Sequence, residues 1–241
     1  MAQKFKVLDV FFYKGNSLTS KAIRLLESVR YGMPFKDCYS HIDLGYDDKS
    51  TFSAEAKGAE IVPIENIDTI GKSDVVVYRY KNITQEQIDK FYAMVPEYMG
   101  RGYGYARYAI DAATIFSFVL FIMGILFGWL SWKFLLLFGG LFIILQIVAK
   151  LLQKLDKGTS DCSELSAIFL DELQLMPYFS SDPRNEFPNS QLSKMEMMRW
   201  YSHADIVATF DYKTKTWKEY PISGNTVVRS TQFAFSDKKD K

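Results

Sequence analysis

The sequence predicts an α+β protein whose mostly antiparallel sheet is interrupted by a membrane insertion. Three observations carry this expectation. Short β-branched and aromatic runs recur in both halves, segments with helical spacing alternate with them, and one long stretch near the middle has no charge. At 241 residues the chain has material for one large domain or two small ones.

The first element is a strand over 5–12 (FKVLDVFF), followed by Gly15-Asn16-Ser17, which turns the chain into a helix running through Leu26 to Arg30. In that helix Ala22, Ile23, Leu25, Leu26 and Val29 lie near one face at a 3.6-residue period and predict the buried side. Residues 39–44 and 52–56 read as two further strands, and 74–80 (DVVVYRY) as the clearest one, being rich in β-branched residues. Thr84 is a good N-cap for a helix carrying Ile88, Phe91, Tyr92 and Val95. Later, Ser160 or Asp161 caps a helix containing Leu165, Ile168, Phe169 and Leu173. Pro177, Pro183 and Pro188 punctuate the stretch after it, and strands are predicted at 205–212 and 226–230. The last residues (SDKKDK) form a charged tail predicted to be disordered. There is no internal repeat.

The uncharged stretch at 112–132 (AATIFSFVLFIMGILFGWLSW) is long enough, at about 1.5 Å per residue, to cross an apolar core roughly 30 Å thick. After Lys133 a second apolar run reaches Ala149, and Gly128-Trp129-Leu130-Ser131-Trp132 between the two suits a turn at the interface. The reading is a transmembrane helical hairpin. Arg101 and Arg107 before it and Lys150, Lys154 and Lys157 after it outnumber Lys133 at the turn, which places both flanks on the cytoplasmic side. The division is then 1–110, the hairpin at 111–150, 151–233, and a tail at 234–241. The expected setting is an integral membrane protein with its remaining domain facing the cytoplasm and the lipid bilayer as a partner.

Composition excludes several classes. Lys+Arg 29 against Asp+Glu 28 gives a net charge of +1, which does not fit a nucleic-acid binder working through overall charge. Two cysteines exclude a disulfide-rich scaffold. A mean hydropathy of -0.07 conceals the hairpin, because polar flanks cancel it. No P-loop or dinucleotide fingerprint is present; Gly100-Arg-Gly-Tyr-Gly104 does not follow a strand and open a βαβ helix. Cys38-Tyr-Ser-His41 lacks a second pair at zinc-ligand spacing. Neither a metal nor a cofactor is expected.

Cys162 has the setting that thiolate chemistry favours. It follows Thr159-Ser160-Asp161 at a helix start, where backbone N–H groups and the positive end of the helix dipole stabilise negative charge. The same groups can receive an oxyanion. A cysteine nucleophile needs a base and a group to orient that base. His41 and His203 are the available imidazoles, with His41 on a strand, and Glu55 on the next strand can orient and charge-stabilise it. Composition alone leaves a second reading open for each: a buried structural cysteine and an ordinary polar histidine.

The assembled order resembles the circularly permuted papain-like cysteine hydrolases, a superfamily including bacterial NlpC-type amidases and the lecithin:retinol acyltransferase group. In that branch the histidine strand precedes the cysteine helix. The likeness runs through Asp9-Val-Phe-Phe12, the helix around Ser20 to Leu26, Tyr39-Ser40-His41-Ile42, Ser53-Ala-Glu55-Ala and Gly58. It continues in Gly102-Tyr103-Gly104-Tyr105, Asp161-Cys162-Ser163-Glu164-Leu165 and Phe187-Pro-Asn-Ser-Gln-Leu192. The resemblance implies Cys162 as nucleophile, His41 as general base and Glu55 as the polar partner, with Cys38 structural. The expected activity is a membrane-anchored thiol hydrolase that cleaves an amide or ester through an acyl-thioenzyme. Its substrate would be a membrane-proximal lipid or peptide. Two other readings stand beside it: a lipid acyltransferase or thioesterase with the same residues, and a non-enzymatic membrane or virion component that retains the fold.

Overall fold

The computed structural model describes residues 5–55, 57–64, 73–102, 104, 113–114, 117–123, 139–145, 147–148, 161–175 and 186–221. Seven antiparallel strands form one sheet: β1 (Val10–Lys14), β2 (His41–Gly45), β3 (Ser50–Glu55), β4 (Gly58–Pro63), β5 (Asp74–Tyr80), β6 (Ala204–Asp211) and β7 (Thr216–Glu219), in the order β4-β3-β2-β1-β5-β6-β7. The helices that accompany the sheet among the described residues are α1 (Leu18–Tyr31), α2 (Gln85–Tyr98), α3 (Cys162–Glu172) and α4 (Pro188–Trp200), with a 3₁₀ turn at Phe35–Asp37. The α+β reading with an antiparallel sheet therefore stands.

The transmembrane hairpin does not. Among the described residues no helix is long and apolar enough to cross a membrane. Helical residues are described at 113–114, 117–123, 139–145 and 147–148. The rest of 111–150 lies outside the described residues. The lack of such a helix among the described residues overturns the hairpin, and with it the integral-membrane, cytoplasm-facing placement drawn from the uncharged run. The predicted strand at 226–230 and the tail at 234–241 also lie outside the described residues.

The helix starts follow their caps. Ser17 Oγ accepts the Ser20 N–H at 3.1 Å, and α1 stops at Gly32, whose φ of 62° is left-handed. Thr84 and Gln87 close a reciprocal capping box on α2. Asp161 Oδ1 accepts the Glu164 N–H at 2.8 Å and opens α3. The face that α1 buries is only partly the predicted one, keeping Ile23 and, half-buried, Leu26. Ile23, Arg24 and Glu27 point inward, while Leu25 and Val29 are exposed. Polar contacts outrank the apolar stripe here: Arg24 donates to the carbonyls of Gly15 and Phe35, and Glu27 accepts from Asn189 of α4.

Helix α3 packs on β2 and β3 and against α4. Phe169 is the centre of this layer, with its ring 5.3 Å from Phe52, 5.5 Å from Phe91 and 5.1 Å from Tyr98. Burying each such ring contributes about 1.5–3 kcal/mol, enough to fix the depth and register of the cysteine helix against the sheet. The β3–β4 turn is held by Gly58 at φ 121°, where a Cβ would come within 2.7 Å of the Arg101 carbonyl oxygen. Gly58→Ala is expected to cost about 1–3 kcal/mol, read as a lower midpoint in urea denaturation.

Candidate active site

Residues His41 and Glu55 come from neighbouring strands whose pairing decides how they meet. β2 and β3 align Leu44 with Phe52 and Gly45 with Thr51, and continuing that antiparallel register sets Asp43 opposite Ser53 and His41 opposite Glu55. Successive strand side chains alternate in direction, so His41 and Asp43 share a face with Ser53 and Glu55. On the other side β1 pairs Tyr13 with His41, and the two rings lie 5.3 Å apart, which limits rotation of the imidazole.

One edge of that imidazole is surrounded by oxygen. His41 Nε2 lies 2.7 Å from Asp43 Oδ1, 3.0 Å from Ser53 Oγ and 3.6 Å from Glu55 Oε1. Ser53 Oγ donates to Glu55 Oε1 at 3.3 Å, so its oxygen is turned to accept from an Nε2–H. Asp43 is the nearer and deeper carboxylate, 1% exposed, and was not among the residues singled out from sequence. Its signal was available: two residues after His41 on a strand is the same face. Glu55, predicted as the partner, stands at the outer side of the group, joined to the ring chiefly through Ser53.

The thiol comes from the other half of the chain. Cys162 is the first residue of α3, 1% exposed, directly after the N-cap Asp161. Asp161 Oδ1 also accepts from Ser163 Oγ at 2.6 Å, which fixes the loop-to-helix entry around the sulfur. Helix α3 packs on β2, the strand that carries His41, and the Cys162 sulfur acts on the charge of the imidazole. Since Nε2 is occupied by oxygens, Nδ1 is the ring nitrogen left for the sulfur.

The charge state of His41 follows from competing forces. Burial disfavours its imidazolium, but the Asp43 carboxylate, the Cys162 sulfur and the hydrogen bonds to both outweigh it, so its pKa is raised well above the ordinary histidine value. For Glu55 burial raises the pKa, aided by Asp43, while His41 and the Ser53 hydroxyl pull it back; the net shift is upward. The group can thus hold an imidazolium beside a cysteine sulfur, with a buried carboxylate behind it.

Other candidates fall away from this place. His203 is exposed in the turn between α4 and β6. Cys38 precedes β2 and is fully buried; burial pushes its thiol up to about 11, and its S–H faces the Pro34 carbonyl at 3.5 Å. Tyr103 and Tyr105 of the glycine–tyrosine segment lie outside the described residues. Among the described residues no group of three or more His, Cys, Asp and Glu side chains is arranged to hold a metal ion. A cavity of about 660 Å³ lined by Phe5, Lys6, Asp47, Arg79, Tyr80 and Asp205, among others, contains none of Cys162, His41 or Asp43. No family model matches this chain, and none of the curated proteins does.

Proposed function

We propose that the protein is a cysteine hydrolase that cleaves an amide or ester carbonyl through an acyl-thioenzyme. The observation that carries this reading is geometric: Cys162 opens α3, which packs on the strand of His41, and Asp43 Oδ1 lies 2.7 Å from His41 Nε2. The order of histidine strand before cysteine helix, which resembles the permuted papain-like hydrolases, supports it as well.

In this reaction the Cys162 thiolate attacks the carbonyl carbon, forming a C–S bond while the carbonyl π electrons move to oxygen. The oxyanion forms beside the positive end of α3. Collapse expels the amine or alcohol, which takes its proton from His41. Neutral His41 then accepts a proton from water, whose oxygen attacks the thioester carbonyl. The acid leaves, and the sulfur returns to its ion pair with His41. Asp43 stabilises the imidazolium at each stage where it exists. No group beyond this chain's own side chains and water is required.

The test is labelling at pH 6 with iodoacetamide, followed by peptide mass analysis, and intact-mass detection of an acyl adduct from an activated ester. The expected result is modification of Cys162, no adduct on Cys162→Ala, and an unlabelled Cys38, whose thiol is pushed up to about 11. Labelling of Cys162 no faster than Cys38 would overturn the proposal. Adding a primary amine to the ester assay distinguishes hydrolysis, in which free acid dominates, from acyl transfer, in which amide dominates.

A further inference from the structure

The sulfur and the imidazole belong to separate parts of the chain, and their distance has to be set by something that touches both. The start of α4 does so. Asn189 forms a two-way clamp on the residue two before His41: its Oδ1 accepts the Tyr39 N–H at 2.9 Å, and its Nδ2 donates to the Tyr39 carbonyl at 3.3 Å. Two residues later, Gln191 grips the residue after Cys162. Its Nε2 donates to the Ser163 carbonyl at 2.5 Å, and its Oε1 accepts from Ser166 Oγ at 2.9 Å. Both carboxamides are buried, at 1% and 0% exposure.

The clamp is itself anchored. Glu27 of α1, 1% exposed, accepts from Asn189 Nδ2 at 2.6 Å and from the Asn189 backbone N–H at 3.2 Å. A carboxylate in that position explains why α1 turns Glu27 inward and leaves Leu25 and Val29 outside. Pro188 at the first helical position gives the turn a fixed φ just before Asn189. Burying a carboxamide is costly unless its oxygen and nitrogen both find partners. Asn189 meets that demand with both main-chain groups of Tyr39, and Gln191 with the Ser163 carbonyl and the Ser166 hydroxyl. These contacts leave little freedom for α3 to slide along β2.

From this geometry we infer that Asn189 and Gln191 are positioning residues, which hold the Cys162 sulfur in register with His41 by bracing Tyr39 and Ser163 from one rigid helix turn. The inference rests on the cysteine-hydrolase reading. Neither residue touches the reacting atoms; each acts through the backbone next to one of them. Loss of either brace lets the sulfur and imidazole drift, and misplacement by about 1 Å in such a pair lowers reactivity by about a hundredfold.

The test follows the alkylation of Cys162 by iodoacetamide against pH in full-length wild type, Asn189→Ala and Gln191→Glu, with Cys38 as an internal reporter of folding. Gln191→Glu keeps an acceptor for Ser166 but removes the donor to Ser163. The expected result is a fall of about ten- to a hundredfold in the Cys162 rate at pH 6 in both variants. At pH 9, above the ordinary value of a free thiol, the rates should approach wild type, and Cys38, whose thiol is pushed up to about 11, should stay unreactive. A purely structural role would leave the shape of the pH profile unchanged. Rates at pH 6 within about twofold of wild type in folded variants overturn the inference. If Asn189→Ala exposes Cys38, Gln191→Glu decides; if both expose it, the contacts hold the fold at large and the positioning role fails. If wild-type Cys162 itself reacts at pH 6 no faster than a free cysteine, the hydrolase reading fails and this inference with it.

Discussion

His41→Ala is expected to lower the rate of acyl-enzyme formation at Cys162 by about 10²- to 10⁴-fold, the range over which a positioned acid–base group contributes. The variant removes both the counter-ion of the sulfur and the donor to the leaving group. Its neighbours rank by distance: Asp43→Asn should cost more than Glu55→Gln, because Asp43 lies at 2.7 Å from Nε2 and Glu55 at 3.6 Å. Pre-steady-state acylation by an activated ester measures all three, and an order with Glu55 first would reassign the partner carboxylate. The pH dependence has a definite sign. His41 is a base whose folded pKa is raised, so its ion pairs contribute stability fully below about pH 6.5, the unfolded value, and lose it as pH rises through the folded value. Denaturation of Asp43→Asn should therefore differ most from wild type on the acid side of 6.5, and the gap should close at higher pH.

Arg79→Met is expected to destabilise the protein by about 3–5 kcal/mol at neutral pH, the loss seen when one partner of a buried ion pair is removed. Arg79 donates to Asp9 through Nε at 2.7 Å and through Nη2 at 2.6 Å, and the Lys6 N–H adds a third bond at 2.8 Å. Asp9 is wholly buried; burial raises its pKa, against the pull of Arg79 and Lys6, and the net shift is upward. An acid with a raised folded pKa favours folding below its unfolded value and loses that contribution as pH rises. The deficit in Arg79→Met should accordingly shrink as pH falls and Asp9 takes up a proton. The double variant Asp9→Asn/Arg79→Met should be less unstable than Arg79→Met, because no charge is left buried. Urea denaturation at several pH values reads both results; a pH-independent loss would show that packing of the Arg79 stem, not its charge, supports β5.

Much of the framework was legible locally. Ser17, Thr84 and Asp161 announced their helices because a cap is satisfied within three residues of itself, and DVVVYRY announced β5 because its residue types need no distant partner to prefer a strand. What failed was anything decided at long range. The apolar stripe of α1 predicted Leu25 and Val29 inside, but a buried carboxylate on Glu27 was required by Asn189, 162 positions away. The strands β4 and β7 went unread, since GAEIVP and TWKE carry little periodicity and gain their character from β3 and β6. The uncharged stretch invited a membrane reading because hydropathy registers composition, whereas the described residues hold no helix long and apolar enough to span. At the site, Cys162, His41 and Glu55 could be picked out as chemistry-bearing residue types. Asp43 was passed over because an aspartate within an alternating strand looks like a solvent-facing position until the neighbouring strand is known to cover it.

The clamp from α4 also bears on when the protein becomes reactive during its own synthesis. The histidine strand leaves the ribosome early, the cysteine follows much later, and the bracing turn at Asn189 and Gln191 later still. At about 5–20 residues per second, His41 is made roughly 7–30 seconds before the turn that sets its distance to the sulfur. Until then the thiol has no held counter-ion and the imidazole no held proton acceptor. On the cysteine-hydrolase reading, an unfinished polypeptide released before that turn would carry Cys162 and His41 without the contacts that brace Tyr39 and Ser163.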